Sequence, residues 1–400
     1  MNPNATLLPP AADVVIIGGG IQGLALAYNL AEAGVGPVVV LDAGYFQGGA
    51  SGRNGTLIRG GFMSDAWTAL FSLANRRWIE LSKRLRRNVM FSRRGYLMIA
   101  ERDGTAARFD SALATHAAHG VRSRRVSRSE LQQIAPALAA ERVRDAVYLP
   151  EGGVSPHHAA MHSYLDACLE RGVRIHYSTP VSAVLRGSSG VSGVIAGGRE
   201  IRASTVVIAA GASSNDVAHL AGVDLPGYPM RIECSALEPT RAVLRPAIAF
   251  IDRLCYVSQT ARGEVVGGAE VPERPQVTLA SDLSSLTATA RVYCDMLPPL
   301  ARLRILRQWA GLIHATPDFG PLIGPHPQLA NLWVTAGWSY GYASSAAVGE
   351  LLARSIVTGT VDSILQPFAV DRFDRNAPVV EGGIVLAAPT PTVASSPEPF

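Results

Sequence analysis

The sequence contains little cysteine, and its four cysteines are widely scattered. Cys168, Cys234, Cys255 and Cys294 form no CxxC pair, and no histidine lies near them at the spacing of metal ligands. This pattern argues against a disulfide framework and against a zinc site built on cysteine. We therefore interpret all four side chains as reduced thiols.

Long apolar runs are also lacking, although hydrophobic residues make up 48% of the chain and the mean hydropathy is +0.18. Glycine, proline or charge interrupts each apolar stretch well before the roughly 18 residues that a membrane span needs. The first residues, MNPNATLLPP, have neither a basic start nor a long apolar segment, so no secretory signal is predicted. We expect no membrane span and a cytoplasmic location.

The positive charge is concentrated in one stretch, from Arg76 to Arg94. Apolar residues recur through it at helical spacing, and no nucleic-acid-binding motif accompanies it. A solvated helix face with its following loop is therefore favoured over a nucleic-acid patch, and we expect no nucleic-acid partner.

The order of predicted elements indicates two domains that share the chain discontinuously, since single cores rarely grow beyond roughly 250–300 residues. Strands and helices alternate at the N-terminus, strand-rich segments follow over 181–210 and 228–310, and a strand and a helix return near the C-terminus. The predicted helices are 21–34, 68–87, 127–133 with Ser127 or Ser129 as its cap, 157–171, 282–304, and 344–357 with Ser344 or Ser345 as its cap.

A glycine-rich turn follows the first strand, residues 13–17, and precedes the first helix. It contains GxGxxG at Gly18, Gly20 and Gly23. In this setting the first glycine makes the tight turn, the second lets the backbone approach a pyrophosphate, and the third lets the helix pack closely on the strand. Asp42 ends the second strand, where a carboxylate can accept hydrogen bonds from a ribose. Together these residues predict a dinucleotide site, which by itself fits NAD or FAD.

The segments that follow resemble the D-amino-acid oxidase (DAO) superfamily of FAD enzymes. The stretch SGRNGTLIR (Ser51 to Arg59) is similar to the SGRN…IR motif of the sarcosine oxidase β subunit and of related opine, proline and hydroxyproline dehydrogenases. Further similar stretches are TVVIAAGASS from Thr205, WAGLIHATPDFGPLIGPHP from Trp309 and NLWVTAGWSYGYASSAAVGELLA from Asn331.

This resemblance implies an α/β fold with a Rossmann-type FAD-binding domain and an α+β substrate domain built on an antiparallel sheet. The predicted FAD-binding domain comprises 11–90, 145–225 and 310–375, the substrate domain comprises 91–144 and 226–309, and 387–400 is a mobile tail. The residues implied to bind FAD are Gly18, Gly20, Ile21, Gln22, Gly23, Asp42, Ala43, Ser51, Arg53, Asn54, Gly55, Val181, Ala210, Gly211, Gly337 and Gly341.

The resemblance also implies the reaction, which is oxidation of the C–N bond of a small secondary amine or amino acid to an imine by hydride transfer to flavin N5. A substrate carboxylate needs a cation or hydroxyl donors, and Arg59 is the first candidate, with Tyr256, Tyr340 and Tyr342 as further donors or lids. For Arg59 a structural ion pair, and for Tyr256 an ordinary core position, remain open alternatives.

Departures from the family pattern limit the substrate and the cofactor. Gly341, Tyr342 and Ala343 stand where sarcosine-oxidising relatives carry a GFK-like triplet, so sarcosine itself is doubtful. No cysteine lies in the two C-terminal motifs, where monomeric sarcosine oxidases attach flavin, so noncovalent FAD is expected.

A histidine at the start of a predicted helix, His157, matches the position at which β subunits bind a second flavin, FMN, covalently. That second flavin is expected only if partner subunits of a hetero-oligomeric dehydrogenase exist, and a histidine at a helix start is the alternative. His158 and His162 lie nearby, but carboxylate companions are lacking, so no metal is predicted.

Three other functions stay open at this point. A single-subunit oxidase of glycine-oxidase type would pass electrons to oxygen and form hydrogen peroxide. A biosynthetic tailoring oxidase would act on a larger amine. A flavin-binding assembly subunit would have no turnover of its own.

Overall fold

The computed structural model describes residues 8–188, 190–269 and 277–381, and the predicted tail 387–400 lies outside them. The α-helices of the described residues are α1 Ile21–Glu32, α2 Asp65–Leu85, α3 Asp103–Ala107, α4 Phe109–Ala118, α5 Arg128–Ile134, α6 His157–Glu170, α7 Ser214–Leu220, α8 Leu283–Met296 and α9 Gly341–Thr358.

The strands of the same residues are β1 Ala11–Ile17, β2 Val38–Leu41, β3 Leu57–Ile58, β4 Tyr96–Ala100, β5 Arg124–Arg125, β6 Asp145–Leu149, β7 Gly153–Val154, β8 Arg174–His176, β9 Val181–Gly187, β10 Gly190–Ala196, β11 Arg199–Ile208, β12 Tyr228–Leu237, β13 Ala247–Phe250, β14 Cys255–Gln259, β15 Val265–Ala269, β16 Ile305–Ala315, β17 Leu322–Pro325 and β18 Leu332–Ala336.

The first sheet has a parallel centre in the order β8-β2-β1-β11-β18, with β17 antiparallel to β18 at one edge. This is the 3-2-1-4-5 order of a Rossmann unit, which confirms the predicted fold class. Strands β9 and β10 form a hairpin that continues into β11 outside this path.

Strand β1 shows why the sequence forms this centre. Val14 and Ile16 pack into the core that contains α1 and α9, whereas Val15 and Ile17 pack into the core on the opposite face. A strand with both faces buried reads as a continuous apolar run, because no position faces water.

The second sheet has the order β16-β12-β15-β14-β13-β4-β6-β5. Its described pairs are antiparallel except for β4 with β13, which run parallel. Strands β6 and β16 both belong to this sheet, although the predicted FAD-binding domain included 145–149 and 310–315. The domain boundaries themselves stay a prediction.

The helices agree with the sequence in part. Ser127 caps α5 by accepting a hydrogen bond from the Glu130 amide at 3.2 Å, as predicted. The predicted caps Ser344 and Ser345 are wrong, because α9 already begins at Gly341 and both serines lie inside it. Their hydroxyls donate to the carbonyls of Gly341 and Tyr342 at 3.2 and 2.9 Å. Helices α3 and α4 were not predicted.

Arginines of the basic stretch form ion pairs with the neighbouring helices α9 and α6. Arg77 and Arg84 contact Glu350 of α9 at 2.8 and 2.6 Å, and Arg87 contacts Glu170 of α6 at 2.6 Å. The stretch therefore differs from the predicted solvated face, because several of its charges join helices together.

The segment 366–381 follows α9 and is called the C-terminal strap here. Arg372 makes a buried two-pronged ion pair with Asp318, at 2.7 and 2.8 Å. The Glu381 carboxylate accepts hydrogen bonds from the amides of Met63 and Ser64 at 2.7 and 2.9 Å, at the start of α2. Ser64 gives α2 no side-chain cap, and Glu381, from a distant part of the chain, fixes the backbone just before the helix instead.

Membrane insertion through a helix finds no support in the described residues, since none of their helices is long and apolar enough to cross a bilayer.

Candidate active site

A cavity of about 330 Å³ lies between the two sheets. On one side it is bounded by the residues that follow β1, β2, β11 and β18, which are the carboxyl ends of the parallel strands. On the other side it is bounded by strands β12 to β16 of the second sheet. Ligands of open α/β sheets bind at this edge, so the cavity is the candidate active site.

The glycine turn after β1 adopts the conformation that its sequence predicts. Gly18 has φ +121°, and a Cβ there would lie 2.2 Å from the carbonyl oxygen of Ala209. A Cβ on Gly23 would lie 2.0 Å from the carbonyl oxygen of Gly18. Glycine is therefore required at both positions, and α1 can begin directly at the cavity.

Asp42, which the sequence predicts to bind a ribose, is held by the loops around it. Its carboxylate accepts hydrogen bonds from the amides of Gly19 and Gly44, both at 2.7 Å. This carboxylate lines the cavity beside the glycine turn, where a hydroxylated ligand would meet it.

The loop after Asp42 covers the start of α1. The Ser51 hydroxyl accepts a hydrogen bond from the Ile21 amide at 3.0 Å, and the Asn54 side chain bonds within the loop to Ser51 and Thr56. Arg53 donates to the carbonyl of Gly48 at 3.0 Å, so its guanidinium holds the loop closed.

Two helix N-termini meet at the cavity. The first residues of α1 and of α9 both line it, and the Gln22 side chain donates to the Gly341 carbonyl at 2.6 Å and to the Ser344 hydroxyl at 3.0 Å. The free amide groups of a helix N-terminus favour negative charge. The cavity is thus suited to a ligand with a diphosphate and an electron-accepting ring.

Arg59 is the cation of the cavity wall that the sequence singled out. Its side chain is 3% exposed, and Nη1 donates to the hydroxyl of Tyr96 at 2.8 Å. The guanidinium stacks on the ring of Phe62 at 4.0 Å and lies 4.9 Å from the rings of Tyr96 and Tyr340. Its Nε and Nη2 have no hydrogen-bond partner among the described residues. A buried guanidinium with two unused donors is suited to an incoming carboxylate.

Burial raises the pKa of the Tyr96 hydroxyl to about 12, and the nearby Arg59 charge opposes this shift only in part. Tyr96 is therefore a neutral phenol near pH 7. It accepts the hydrogen bond from Arg59 and keeps its own proton for a further acceptor.

Tyr256 lines the cavity with its ring packed on Gly55, where a Cβ would lie 2.4 Å from the ring. Its hydroxyl lies 2.8 Å from the Cys234 sulfur, and burial raises its pKa well above the ordinary value. The hydroxyl is thus already engaged, so the ring is the part that Tyr256 offers to the cavity.

Tyr342 also lines the cavity, but its hydroxyl donates to the carbonyl of Ser155 at 2.9 Å. Its ring centre lies 5.2 Å from that of Trp78. These contacts fix the first turn of α9 against α2 and leave the hydroxyl no free proton for a substrate.

His314 is a buried residue of the cavity wall that the sequence did not indicate. Its Nδ1 accepts a hydrogen bond from the Gly337 amide at 3.1 Å, which places the proton of the neutral ring on Nε2. Burial lowers the pKa of His314 to about 4, so the ring is neutral near pH 7.

Unsatisfied polar atoms collect at this cavity. Gln22 Oε1, Arg59 Nε and Nη2, His314 Nε2 and Ser339 Oγ are buried, lack a partner among the described residues, and belong to residues that line it. Such atoms are normally satisfied by a ligand or by water. Together with the glycine turn, the Asp42 carboxylate and the two helix N-termini, they fit FAD.

Most of the predicted site residues come together at this cavity. Those that line it are Gly18, Gly20, Ile21, Gln22, Asp42, Ser51, Arg53, Asn54, Gly55, Arg59, Ala210, Gly211, Tyr256, Gly341 and Tyr342. Gly23, Ala43, Val181, Gly337 and His157 are not part of this lining. Gly23 and Gly337 contact lining residues instead. Gly23 packs against Gly18, and the Gly337 amide donates a hydrogen bond to His314.

Other lining residues were missed, among them Ile232, Leu254, His314, Trp338 and Ser339. They come from the second sheet and from the turn before α9. The sequence offered no spacing signal for the strand residues, because alternating apolar positions look the same whether they face a core or a ligand.

His157 lies outside the cavity at the first position of α6 and is partly buried. Burial and the neighbouring His158 lower its pKa to about 4. Its Nδ1 has no hydrogen-bond partner among the described residues. The ring is therefore a neutral imidazole with a free nitrogen. Within the described part of the chain, no group of three or more metal-ligating side chains forms.

The known proteins with similar sequences include two sarcosine oxidase β subunits. The chain is 29% identical over 380 residues to the sarcosine oxidase subunit beta of Rhizobium meliloti (strain 1021), covering 94% of this chain and 91% of that one. It is 28% identical to the same subunit of Arthrobacter sp, with 94% of each chain covered.

Among solved structures, L-proline dehydrogenase from P. horikoshii superposes with a TM-score of 0.89 at 26% identity, covering 93% of this chain and 100% of that one. The family model described as FAD dependent oxidoreductase, DAO, matches residues 13–355. The chain therefore belongs to the DAO family of FAD-dependent oxidoreductases.

Proposed function

We propose that this protein uses noncovalent FAD to oxidise the C–N bond of a small secondary amine or amino acid that carries a carboxylate. The observation that carries the proposal is Arg59, a buried guanidinium in the cavity wall with two donors unused among the described residues. The similarity to sarcosine oxidase β subunits and to L-proline dehydrogenase supports the same substrate class.

The side chains around Arg59 would hold and orient the substrate. Two parallel hydrogen bonds from Arg59 would fix a carboxylate, and the Tyr96 hydroxyl would donate a third. The aromatic wall, including Tyr256 and Trp338, would then enclose the amine and keep water from it. When bound, FAD supplies the chemistry by accepting the hydride from the carbon next to nitrogen at N5.

The amine must enter as its free base, because hydride loss needs the nitrogen lone pair. The carboxylates of the described lining are those of Asp42 and Glu233, and both are already bound within the protein. An ammonium would find Glu233 already paired with Arg231, and Asp42 lies at the glycine turn, where the proposed ribose site is. Desolvation would therefore lower the amine pKa. A dedicated base is not required, and water hydrolyses the imine product.

The test starts with the absorption spectrum of the purified chain before and after acid precipitation. We expect flavin bands that leave with the supernatant, as noncovalent FAD requires. Anaerobic addition of secondary amines and of D- and L-amino acids should then bleach these bands with at least one carboxylate-bearing amine. A colourless protein would contradict the cofactor assignment. FAD that no amine reduces would favour an assembly subunit without turnover.

We also propose His157 as the attachment point of a second flavin, FMN, in an assembly with partner subunits. The free nitrogen and depressed pKa of His157 support this, because bond formation needs a neutral imidazole. The protein co-produced with its partners should keep flavin fluorescence in a denaturing gel, and His157→Ala should abolish it. The neighbouring His158→Ala is the matched control. Fluorescence that is absent from the wild type, or that survives His157→Ala, would contradict this assignment.

A further inference from the structure

The turn of residues 251–254 joins β13 to β14 and reaches the cavity, and we call it the rim turn. Both Ile251 and Leu254 line the cavity. Ile251 is 5% exposed, but Leu254 is 40% exposed although it is a large apolar residue. An apolar side chain that is open to solvent at the edge of a ligand cavity is suited to contact with an apolar ligand.

The backbone at Leu254 is strained. Its φ and ψ are +47° and +41°, in the left-handed region that residues with a Cβ rarely adopt. Leucine has no side-chain group that could stabilise this conformation by a local hydrogen bond, as asparagine can. The surrounding structure must therefore impose it.

The two charged residues of the rim turn supply that constraint. The Asp252 carboxylate accepts hydrogen bonds from the Glu101 amide at 2.7 Å and from the Thr105 hydroxyl at 2.6 Å. Arg253 contacts Glu101 at 2.7 Å and Asp295 of α8 at 2.8 Å. These contacts hold the rim turn against α3, α8 and the residue that follows β4, and they keep Leu254 in one place.

The second sheet lines the cavity mainly with apolar residues, its polar members being Tyr96, Glu233, Tyr256 and His314. The second sheet contributes Ile232, Ala249, Phe250, Gly268 and Ala269 to the lining. The cationic side chains of the described lining are Arg53, Arg59 and, when protonated, His314.

These cations cannot serve two carboxylates. Arg53 is occupied by backbone carbonyls and by the Tyr45 hydroxyl, and His314 is neutral near pH 7. Arg59 can therefore receive one carboxylate, and the described lining offers no second free cation to another.

We propose that the rim turn selects monocarboxylate amines with an apolar substituent over dicarboxylates, and that Leu254 is its specificity-determining residue. This inference rests on the proposed function, because it assigns the carboxylate to Arg59. On this proposal the protein accepts an N-alkyl or cyclic amino acid and disfavours an opine-like substrate, which has two carboxylates.

The experiment uses the FAD-loaded protein and straight-chain carboxylates as probes. Acetate, propionate, butyrate and pentanoate would perturb the flavin spectrum on binding, without turnover. We expect each added CH2 to tighten binding about three- to four-fold until the rim is filled, as burial of a methylene predicts. The achiral series of N-methyl- to N-butylglycine should show the same trend in anaerobic flavin reduction, with iminodiacetate a poor substrate.

Leu254→Asn is the decisive variant, because asparagine tolerates the left-handed backbone while its polar end removes the apolar contact. It should fold and bind FAD as the wild type does, yet lose most of the chain-length dependence. Leu220→Ala, at an exposed apolar position of α7 outside the cavity, is the matched control. It should change neither FAD binding nor the chain-length dependence.

The outcomes separate the two proposals. A wild type that binds FAD but no carboxylate, and that no amine reduces, contradicts the proposed function and the rim together. If Leu254→Asn binds the carboxylates with the same chain-length dependence as the wild type, the specificity role of Leu254 is overturned, but the proposed function is not. Preference of the wild type for iminodiacetate over N-propylglycine overturns it as well.

Discussion

The side-chain amide of Gln22 joins the first turns of two helices that are far apart in sequence, since it donates to the carbonyl of Gly341 at 2.6 Å. A second hydrogen bond reaches the Ser344 hydroxyl at 3.0 Å. Both helix N-termini line the cavity, so this side chain links the two ends that face the proposed FAD site.

Replacing Gln22 by alanine should weaken FAD binding by about ten-fold, because about 1 kcal/mol is lost with each buried hydrogen bond and the spacing relaxes. Titration of the apoprotein with FAD, followed by flavin fluorescence, measures this. Gln133→Ala, at an exposed position of α5, is the control and should leave the affinity unchanged. Equal affinities for wild type and Gln22→Ala would show that the spacing is fixed elsewhere.

Arg59→Lys should weaken carboxylate binding about ten-fold, although the charge is kept. Lysine loses the planar fork and the stacking on Phe62, which lies 4.0 Å from the guanidinium. Arg59→Met removes the charge as well and should weaken binding further. Perturbation of the flavin spectrum by acetate measures both, and the FAD content serves as the internal control.

Arg262→Met is the matched surface variant, since the Arg262 side chain is 85% exposed. Its acetate affinity should equal that of the wild type. Acetate binding that survives in Arg59→Met would place the substrate carboxylate somewhere else in the cavity.

His314 should make the protein less stable in mild acid. Burial lowers its folded-state pKa to about 4, below the unfolded value near 6.5, so the unfolded chain binds more protons between these two pH values. Stability is then fully present above about pH 6.5 and falls as the pH drops toward 4. On this basis His314 alone would cost on the order of 2 kcal/mol at pH 5.

Urea unfolding of the FAD-loaded protein at pH 7.5 and pH 5 measures this loss. His314→Gln should reduce the difference between the two pH values, although it lowers stability at pH 7.5. His219→Gln is the control, because the His219 side chain is 61% exposed. A difference that is the same in wild type and His314→Gln would assign the acid sensitivity to other groups.

The ion pair between Arg372 and Asp318 should be a main attachment of the C-terminal strap. Both side chains are buried, and Asp318 also accepts a hydrogen bond from the Val379 amide at 2.8 Å. Arg372→Met would leave the carboxylate buried without its partner, which costs about 3–5 kcal/mol. The free energy of unfolding in urea checks this.

Arg375→Met provides the comparison for that measurement, because Arg375 pairs with Asp371 at an exposed site on the same strap. Exposed pairs contribute about 0–1 kcal/mol, so this variant should be nearly as stable as the wild type. A loss below about 1 kcal/mol for Arg372→Met would mean that the strap is held mainly by its apolar contacts.

The residues of the proposed cofactor half could be named from the sequence because they are local in the chain. Gly18 and Gly23 have conformations or contacts that exclude a side chain, and Asp42 follows at a fixed distance along one strand, helix and strand. Arg59 could be named as well, since it belongs to the same N-terminal stretch.

The substrate half could not be predicted to the same extent. Leu254 is one leucine in a turn, and only the structure shows that Asp252 and Arg253 hold this turn against α3, α8 and the residue after β4. The contact of Glu381 with the segment before α2 could not be predicted for the same reason, because Glu381 lies more than 300 positions away from Ser64. Neither arrangement leaves a periodic pattern.

The packing of α1 against α9 has a consequence for how the protein is made. A ribosome releases the chain from its N-terminus, so the glycine turn and α1 emerge long before Gly341 and α9, which Gln22 must contact. Strand β1 likewise can pair with β11 only after β11 has emerged, and β11 with β18 only later still. We therefore expect a nascent chain that is stalled before about residue 341 to capture no FAD, even though its dinucleotide fingerprint has been complete since residue 42.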